Sequence, residues 1–552
     1  MLSGTASFQD FRLKAARSFA NTMIVVDDEA SQPAPEVKIT RLRRPSRLSS
    51  KGSEVAEGVT KHQAASTHTL DTKALIDNAM ELGLVCSILR PQRRENVRQR
   101  VKKVAQCADI VCLDWEIYND SGQSATTIIN DIVLDDAKRN GRLRLIAIYT
   151  GDVTNNKILE KIFESFSQSF RTAHQLKREP LYIKSNHGLK IVCLFKAHGI
   201  QLPDSRRDNQ ITENALPARL QEEFAALAEG LLSTVALATV AATRSSTHHV
   251  LSKFTGVMDG PFFHHRSLLE NVLDAEEYAV DVVLSELKSA IDKQEVAKEF
   301  AGANAIAARI RELAGSASSF SLKYEENGAA KTFDLGVDDV IRLITDGCVM
   351  AHGTLAGAKP RRGIFENGIT TLFSSDRATA LSEMFQFAAV TGTRAHPDSY
   401  LYKDPEKVPA LGLGTIIRHR SGSYLLCLQA SCDSVRIRGK SGFLFIPMGL
   451  GEGKPDHVVP VVRKGKTDWI GLAIARTSYA AAKSIIFSPS PKTGTVVAKR
   501  IARRRGFYFV ATDGAEYKWI ANLKQRRALR TAQRLGQDMG RLGFDEFEPF
   551  RK

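Results

Sequence analysis

The chain has 552 residues, which is more than a single hydrophobic core usually contains, so we expect about two to four domains. Hydrophobic residues make up 43% and charged residues 25%, and no apolar run reaches the roughly 18 residues of a membrane-spanning helix. The net charge of +16 is uneven, because residues 411–552 contain 26 lysines and arginines against 10 aspartates and glutamates. This asymmetry predicts an anionic partner for the C-terminal region, either nucleic acid or an acidic protein face. A solvated basic surface is the alternative.

The cysteines and the N-terminal residues bear on the cellular compartment. Asp10, Arg12 and Lys14 interrupt any apolar segment near the start, so we expect no secretory signal peptide. The seven cysteines lack disulfide-like spacing, and Cys112 and Cys193 lie inside apolar runs. We therefore expect reduced thiols in a cytoplasmic protein.

The N-terminal third alternates between strand and helix patterns. We predict an N-terminal helix or arm over 1–21, then a domain over 22–205 with a disordered polar insertion at 31–69. Strands are predicted at 22–30, which ends in three acids, and at 85–89, 109–114, 143–150 and 189–196, and helices at 74–84, 94–107, 125–138 and 157–170. This alternation indicates an α/β, flavodoxin-like domain with a five-stranded parallel sheet. An additional strand pattern before the last strand, followed by Asn-His-Gly, predicts a hairpin at the sheet edge.

The rest of the chain changes in character twice. Residues 206–315 have helical periodicity, and residues 316–405 read as a mixed α/β region and linker. A basic β-rich C-terminal domain with a final helix follows over 406–552. Within it, Asp513-Gly514 predicts a hairpin with a type I′ turn.

Acidic residues follow two of the predicted parallel strands. Asp27 and Asp28 end the first strand, and Asp114 ends the third. Because the carboxyl ends of parallel strands share one sheet edge, these carboxylates would meet and repel each other unless a divalent cation joined them. Mg²⁺ is the natural occupant of such a pocket, and its binding would let one carboxylate act as a nucleophile towards a phosphoryl donor.

Two other residues would reach the same edge. Thr150 ends the fourth strand and offers a hydroxyl to a phosphoryl oxygen, whereas Lys196 ends the fifth and offers a cation. Acids at strand ends are often simple helix caps, but the match at successive strand ends favours a shared site.

This order of residues over roughly 22–201 resembles the response-regulator receiver family. That family has an acidic pair after strand one, a phosphoacceptor aspartate after strand three, a threonine or serine after strand four and a lysine after strand five. Gly122 stands at the family's offset from the phosphoacceptor, and Trp115 is common at its position. The resemblance implies that Asp114 is phosphorylated and that the backbone carbonyl of Glu116 joins Asp27, Asp28 and Asp114 around Mg²⁺.

Two departures from the family concern the loops of this site. Tyr118 and Ala197 stand where the family usually has proline. These changes leave open a degenerate receiver that keeps the fold and acts by protein contact.

Other candidate sites are weaker. The pairs His248–His249 and His264–His265 could bind zinc or accept phosphate, although surface positions explain them as well. Cys427 and Cys432 are too few for a zinc site, and the glycine-rich segment 449–455 lacks the spacing of a phosphate loop. A basic surface suited to phosphate contacts is predicted from a set of C-terminal arginines. They are Arg503, Arg504, Arg505, Arg527, Arg530 and Arg534.

These patterns indicate a cytoplasmic signalling regulator in which a receiver controls a C-terminal effector, and they favour a phospho-accepting regulator over a turnover enzyme. The whole chain also resembles bacterial "response receiver domain" proteins, which implies a partner ATPase of the histidine-kinase/Hsp90 (GHKL) type and a role in phage defence. The alternative function is a basic nucleic-acid-binding effector, which could act in anti-phage defence.

Overall fold

A computed structural model describes residues 6–31, 70–92, 96–139, 141–152, 157–186, 188–197, 202–269, 272, 274–355, 359–397, 399, 402, 404, 406–451, 455–463, 466–475, 481–501 and 504–539. The chain divides into two compact units, residues 1–316 and 317–552. No helix in these ranges is both long and apolar enough to cross a membrane.

The first unit begins with alternating strands and helices. They are α1 (Phe8–Phe19), β1 (Thr22–Val26), β2 (Ala30–Ser31), β3 (Leu70–Asp71), α2 (Thr72–Glu81), β4 (Val85–Leu89), α3 (Val97–Ala105), β5 (Ile110–Leu113), α4 (Gln123–Lys138), β6 (Arg144–Thr150), α5 (Ile158–Ser165), α6 (Gln168–Ala173), β7 (Lys177–Arg178), β8 (Tyr182–Ser185) and β9 (Leu189–Lys196). It ends in a mainly helical segment: α7 (Asp204–Arg207), β10 (Gln210–Ile211), α8 (Leu216–Ala225), α9 (Leu231–Ser245), α10 (Thr247–Leu251), α11 (Asp259–Leu268), α12 (Asp274–Lys293), α13 (Val296–Ala301) and α14 (Ala303–Ala314).

A parallel sheet forms the centre of this unit. Its strand order is β4-β1-β5-β6-β9-β8-β7, and β10 also pairs with β9. The five strands β4, β1, β5, β6 and β9 are mutually parallel, which is the doubly wound order 2-1-3-4-5. The sheet therefore has eight strands, because the short β7, β8 and β10 extend the five that the sequence predicts. The predicted edge hairpin is the antiparallel pair β8–β9.

Both faces of the sheet are covered, as expected for parallel strands that are apolar along their whole length. Every residue of β5 and β6 is buried. The hydrophobic core on one face includes residues of α1, α2, α8, α9 and α13, and the core on the other includes residues of α3, α4 and α5. The segment predicted as one helix over 157–170 is instead two helices, since Phe166 ends α5 in extended conformation and the Ser167 side chain caps α6.

The predicted insertion 31–69 lies outside the described residues from 32 to 69. Its two ends meet, because Ala30 pairs with Leu70 and Ser31 with Asp71 in a parallel two-stranded sheet. The Asp71 side chain then caps α2 by accepting hydrogen bonds from the backbone of Lys73 and Ala74. The ends of the insertion, after β1 and before α2, are thus held together despite the length of chain between them.

The second unit contains β11 (Ser319–Glu326), β12 (Ala329–Gly336), α15 (Val337–Asp346), α16 (Cys348–Thr354), α17 (Arg362–Gly368), α18 (Arg377–Gly392), β13 (Thr393–Ala395), β14 (Thr415–His419), β15 (Tyr424–Cys427), β16 (Ser441–Leu450), β17 (His457–Arg463), β18 (Lys466–Ala473), β19 (Lys483–Phe487), β20 (Lys499–Arg500), β21 (Phe507–Val510), β22 (Glu516–Leu523) and α19 (Gln525–Met539). Strands β11 and β12 form a separate hairpin. The ten strands from β13 to β22 form one sheet with the order β17-β18-β16-β15-β14-β22-β21-β20, to which β13 and β19 add at β22 and β16.

The hairpin β21–β22 forms as predicted, but its turn is not of type I′. Backbone bonds join Ala511 N to Ala515 O at 2.9 Å and Gly514 N to Ala511 O at 3.0 Å. Only Gly514 has a positive φ, of 84°, whereas a type I′ turn needs two such residues. The connection is therefore a three-residue loop with glycine at its left-handed position.

His457, the first residue of β17, is buried against α19, where its Nε2 lies 3.3 Å from Thr531 Oγ1. Burial lowers the pKa of His457 to about 4, and the charge of Arg527 adds to this, with Asp456 opposing it and Arg534 reinforcing it. Between the unfolded value of about 6.5 and the folded value, only the unfolded chain binds the proton, so acid favours unfolding.

We therefore expect the second unit to lose about 3 kcal/mol of stability from this residue as the pH falls from about 6.5 to about 4. The measurement is urea unfolding followed by tryptophan fluorescence, to which Trp469 and Trp519 of this unit contribute. His457→Gln should remove this part of the pH dependence while leaving that of the carboxylates. Identical pH profiles for the variant and the wild type would contradict the expectation.

Candidate functional site

Five predicted residues meet at the carboxyl edge of the parallel sheet. Asp27 follows β1 and Asp114 follows β5, and the last residues of these strands, Val26 and Leu113, are direct partners. Thr150 ends β6 and is paired with Phe195, so Lys196 at the end of β9 comes next to it. Asp28 follows Asp27. The strand register alone therefore brings the acids, the hydroxyl and the cation to one place.

The ammonium group of Lys196 joins two of the acids. Its Nζ donates to Asp27 Oδ2 at 2.8 Å and to Asp114 Oδ2 at 3.1 Å, and all three side chains are almost completely buried. Burial by itself would lower the pKa of Lys196, but the charges of Asp114 and Asp27 and the hydrogen bonds to both raise it overall. Lys196 therefore remains an ammonium ion inside the protein.

The surroundings of Asp27 favour its neutral form, whereas those of Lys196 favour its charged form. Its pKa is raised to about 6, because burial and the neighbouring charge of Asp114 raise it by more than Lys196 lowers it. One ammonium ion does not balance three carboxylates, so the pocket carries excess negative charge.

That excess suits a divalent cation. Carboxylate oxygens of Asp27, Asp28 and Asp114 lie within 4.8 Å of one another, close to the roughly 4 Å that separates opposite ligands around Mg²⁺. This is the one group of three or more such side chains that could share an ion in the described parts of the chain, so neither the histidine pairs nor Cys427 and Cys432 form one there. The carbonyl of Glu116, the predicted fourth ligand, accepts a hydrogen bond from Asn119 N at 2.9 Å, which leaves it one lone pair.

Hydrogen bonds also orient Asp114 and Thr150. The other oxygen of Asp114, Oδ1, accepts from the backbone of Glu116 at 3.2 Å. Thr150 is fully buried, and its hydroxyl oxygen accepts from Asp152 N at 3.1 Å while keeping its own proton to donate.

The loop after Asp114 explains why tyrosine can replace the usual proline at 118. Tyr118 has a φ of 64°, and its N–H donates to Asp28 Oδ2 at 2.9 Å. Proline could not adopt this φ, because its ring fixes φ near −65°, and it could not form this hydrogen bond, because it has no N–H. The Tyr118 hydroxyl also donates to the carbonyl of Gln92 at 2.8 Å. Sequence reasoning missed this contact with Asp28, since nothing in the residue type signals a left-handed tyrosine.

The same loop has several further residues in the left-handed region. Asn119, Ser121 and Gly122 have φ values of 55°, 55° and 81°. Strain of this kind persists only where surrounding contacts hold it, and here Gly122 lies against the buried ring of Trp115.

The C-terminal arginines that the sequence predicts as a basic surface differ in their contacts: some are paired and others are exposed. Arg503 lies outside the described residues. Arg504 pairs with Glu516, and Arg505 is exposed. On α19, Arg534 pairs with Asp456 at 2.8 Å and Arg527 donates to the carbonyl of the same residue, whereas Arg530 is exposed. Arg534 is thus compensated by the Asp456 carboxylate, whereas the contact of Arg527 with a backbone carbonyl leaves its charge uncompensated.

Replacing Lys196 with methionine should destabilise the sheet by about 3 kcal/mol, because it leaves two buried carboxylates without their cation. Amide hydrogen exchange of the β1, β5 and β9 peptides measures this locally. Lys184→Met is the matched control, since the more exposed Lys184–Glu229 pair should cost within about 1 kcal/mol. Equal losses in the two variants would contradict a special role for the buried cation.

Replacing Gly122 with alanine should cost about 2 kcal/mol or more, since a Cβ would lie 2.0 Å from Trp115 Cζ2 and φ is 81°. Gly83→Ala provides a control with a φ of 72° and open space around the new Cβ, so it should cost about 1 kcal/mol. Hydrogen exchange of β5 distinguishes the two. If both variants lose the same stability, contact with Trp115 does not constrain the loop.

Comparison with known families gives one match, in the N-terminal part of the chain. The family model described as Response receiver domain matches residues 19–201. Searches of curated proteins and of solved structures gave no match. The matched range contains the five parallel strands β4, β1, β5, β6 and β9 and the five predicted residues at their carboxyl edge. The N-terminal part of this chain, residues 19–201, is therefore similar to the response receiver domain family.

Proposed function

We propose that Asp114 accepts a phosphoryl group in a Mg²⁺-dependent reaction, and that this event regulates the output of the chain. The observation that carries the proposal is the bridge of Lys196 Nζ between Asp114 and Asp27 at a sheet edge with three carboxylates. It keeps Asp114 close to a fixed cation, in a pocket that lacks enough positive charge of its own.

Each chain residue has a distinct task in such a reaction. The Asp114 carboxylate attacks the phosphorus of a small or protein-bound phosphodonor, forming an acyl phosphate while the bond to the donor's leaving group breaks. Lys196 neutralises one phosphoryl oxygen, and the hydroxyl of Thr150 donates a hydrogen bond to another. Burial strengthens both interactions because little water competes with them.

Asp27, Asp28 and Asp114, with the carbonyl of Glu116, would hold the metal ion. A bound Mg²⁺ supplies charge neutralisation for the carboxylates and the incoming phosphoryl oxygens. Tyr118 fixes Asp28 through its backbone N–H, so the metal-binding carboxylate and the strained loop are mechanically linked.

The regulatory step follows from the change in charge. An acyl phosphate adds negative charge and three acceptor oxygens beside Lys196 and Thr150. Lys196 would then divide its hydrogen bonds between the phosphoryl group and Asp27, and the strained loop at 118–122 could relax into a second arrangement. We propose a signalling regulator whose phosphodonor or partner is an ATPase of the GHKL type. If phosphorylation fails, a receiver that acts by protein contact is the remaining form of this function.

The test is incubation of the full chain with acetyl phosphate, with and without Mg²⁺, followed by intact-mass spectrometry. We expect a mass increase of one phosphoryl group that requires Mg²⁺ and is absent in Asp114→Asn. Peptide mapping after borohydride trapping should locate it at Asp114. Beryllofluoride with Mg²⁺ should change hydrogen exchange in the loop at 115–122 in the wild type and not in Asp114→Asn.

Asp120→Asn is the matched control, because Asp120 lies in the same loop but caps the backbone of Gln123 and Ser124 at the start of α4. It should retain phosphorylation. A mass increase that persists in Asp114→Asn would refute the assignment, and no increase in any protein would leave only the contact-based receiver.

A further inference from the structure

A row of cations and one tyrosine crosses four strands of the second unit. Arg418 of β14 pairs directly with Lys518 of β22, Lys518 pairs with Tyr508 of β21, and Tyr508 pairs with Lys499 of β20. We call these four residues the basic row. Since neighbouring strands are about 4.8 Å apart, the row spans about 14 Å.

The basic row lies on the face of the strands that points away from the aromatic core. Residues that alternate with it, Ile417, Trp519 and Phe507, belong to that core and are fully or almost fully buried. Arg418 and Lys499 are exposed, and Lys518 and Tyr508 are half-buried. The side chains therefore form an open strip.

On the β15 side of the basic row, α19 covers the same face of the sheet. Tyr424, the partner of Arg418 on β15, is buried in a second core together with Ala528 and Leu535 of α19. The row thus begins where the covering by α19 ends, and its open part is a defined strip of the sheet surface.

The charges of the row are not compensated within the described residues. Arg418, Lys518 and Lys499 take part in no ion pair there. Glu516, the nearby acid on β22, pairs with Arg504, whose guanidinium lies 5.9 Å from the centre of the Tyr508 ring. Like charges directly opposite each other, as at Arg418 and Lys518, destabilise a sheet, so this arrangement has a cost in the unbound protein.

We propose that the basic row binds single-stranded nucleic acid, with a base stacked on Tyr508 and phosphates at the flanking cations. An open sheet surface with an aromatic ring between lysines matches the two elements of such binding, stacking and backbone neutralisation. An acidic protein segment would use the cations but has no need of the ring, which is why nucleic acid is favoured. This inference is independent of phosphorylation at Asp114.

The experiment uses the full chain and a fluorescein-labelled oligo(dT) of about 20 nucleotides, a length that covers one to several typical binding sites. Fluorescence anisotropy is measured between about 50 mM and 200 mM salt. We expect binding that weakens as salt increases. Tyr508→Leu should weaken binding roughly tenfold or more, and Tyr508→Phe should retain it, because the phenyl ring still stacks. Lys499→Ala and Lys518→Ala should each lower the salt slope by about 0.7.

The chain offers a matched control in the hairpin β11–β12, where half-buried Tyr324 pairs directly with Lys331. There the lysine also pairs with Glu326, so its charge is compensated. Tyr324→Leu and Lys331→Ala should leave binding unchanged.

Several outcomes would overturn the proposal. The first is no binding of oligo(dT) by a wild-type chain, and the second is equal affinity of Tyr508→Leu and Tyr508→Phe. A third is equal loss of affinity in the Tyr324 and Tyr508 variants. Competition by polyglutamate at the same charge concentration as oligo(dT) would indicate an acidic protein ligand instead.

Discussion

The hydrogen bonds from Lys196 to Asp27 and Asp114 are the interaction on which the receiver site depends. Three carboxylates meet at a sheet edge because five parallel strands end there, and burial makes their mutual repulsion severe. The strand β9 is apolar over most of its length, yet it ends in a lysine whose ammonium ion is buried. That ion is stable only because two carboxylates surround it, and the carboxylates are tolerated only because the ion lies between them.

The backbone that carries Lys196 is fixed on both sides. Strand β9 pairs with β6 from Leu189 to Phe195, while β8 covers its first half and β10 pairs with Phe195 and Lys196. Asn209 secures this end further, since its side chain donates to the carbonyl of Cys193 at 2.8 Å. The added strands therefore do more than extend the sheet. They restrict the motion of the β9 backbone at Lys196. A change at Asp114 must therefore be accommodated by side chains and by the loop at 118–122.

The sequence predicted the site because its residues lie at strand ends, and strand ends are marked by a change from apolar to polar residues. Strands β4 and β9 were predicted with their observed bounds for this reason. The division between α5 and α6 was not predicted, since apolar residues continue at helical spacing through Phe166 and Phe170 while one serine cap ends the periodicity. Strands β7 and β10 have two residues each, too few for any pattern. The left-handed Tyr118 depends on a tertiary contact with Asp28 and has no local signal.

Net charge alone does not locate a binding surface, because counting cations does not show which of them are already paired. On α19, Arg534 pairs with the carboxylate of Asp456, and Arg527 donates to the backbone carbonyl of the same residue, so both side chains serve the packing of the helix. The uncompensated cations lie instead on separate strands, at Arg418, Lys518 and Lys499, where only the register of the sheet brings them together. Repulsion between such neighbours lowers the stability of the unbound sheet, and an anionic ligand would remove that repulsion on binding. The unfavourable pairing therefore increases the free energy available for binding an anion at the sheet face, which an arginine already paired with an acid, as Arg534 is with Asp456, could not provide.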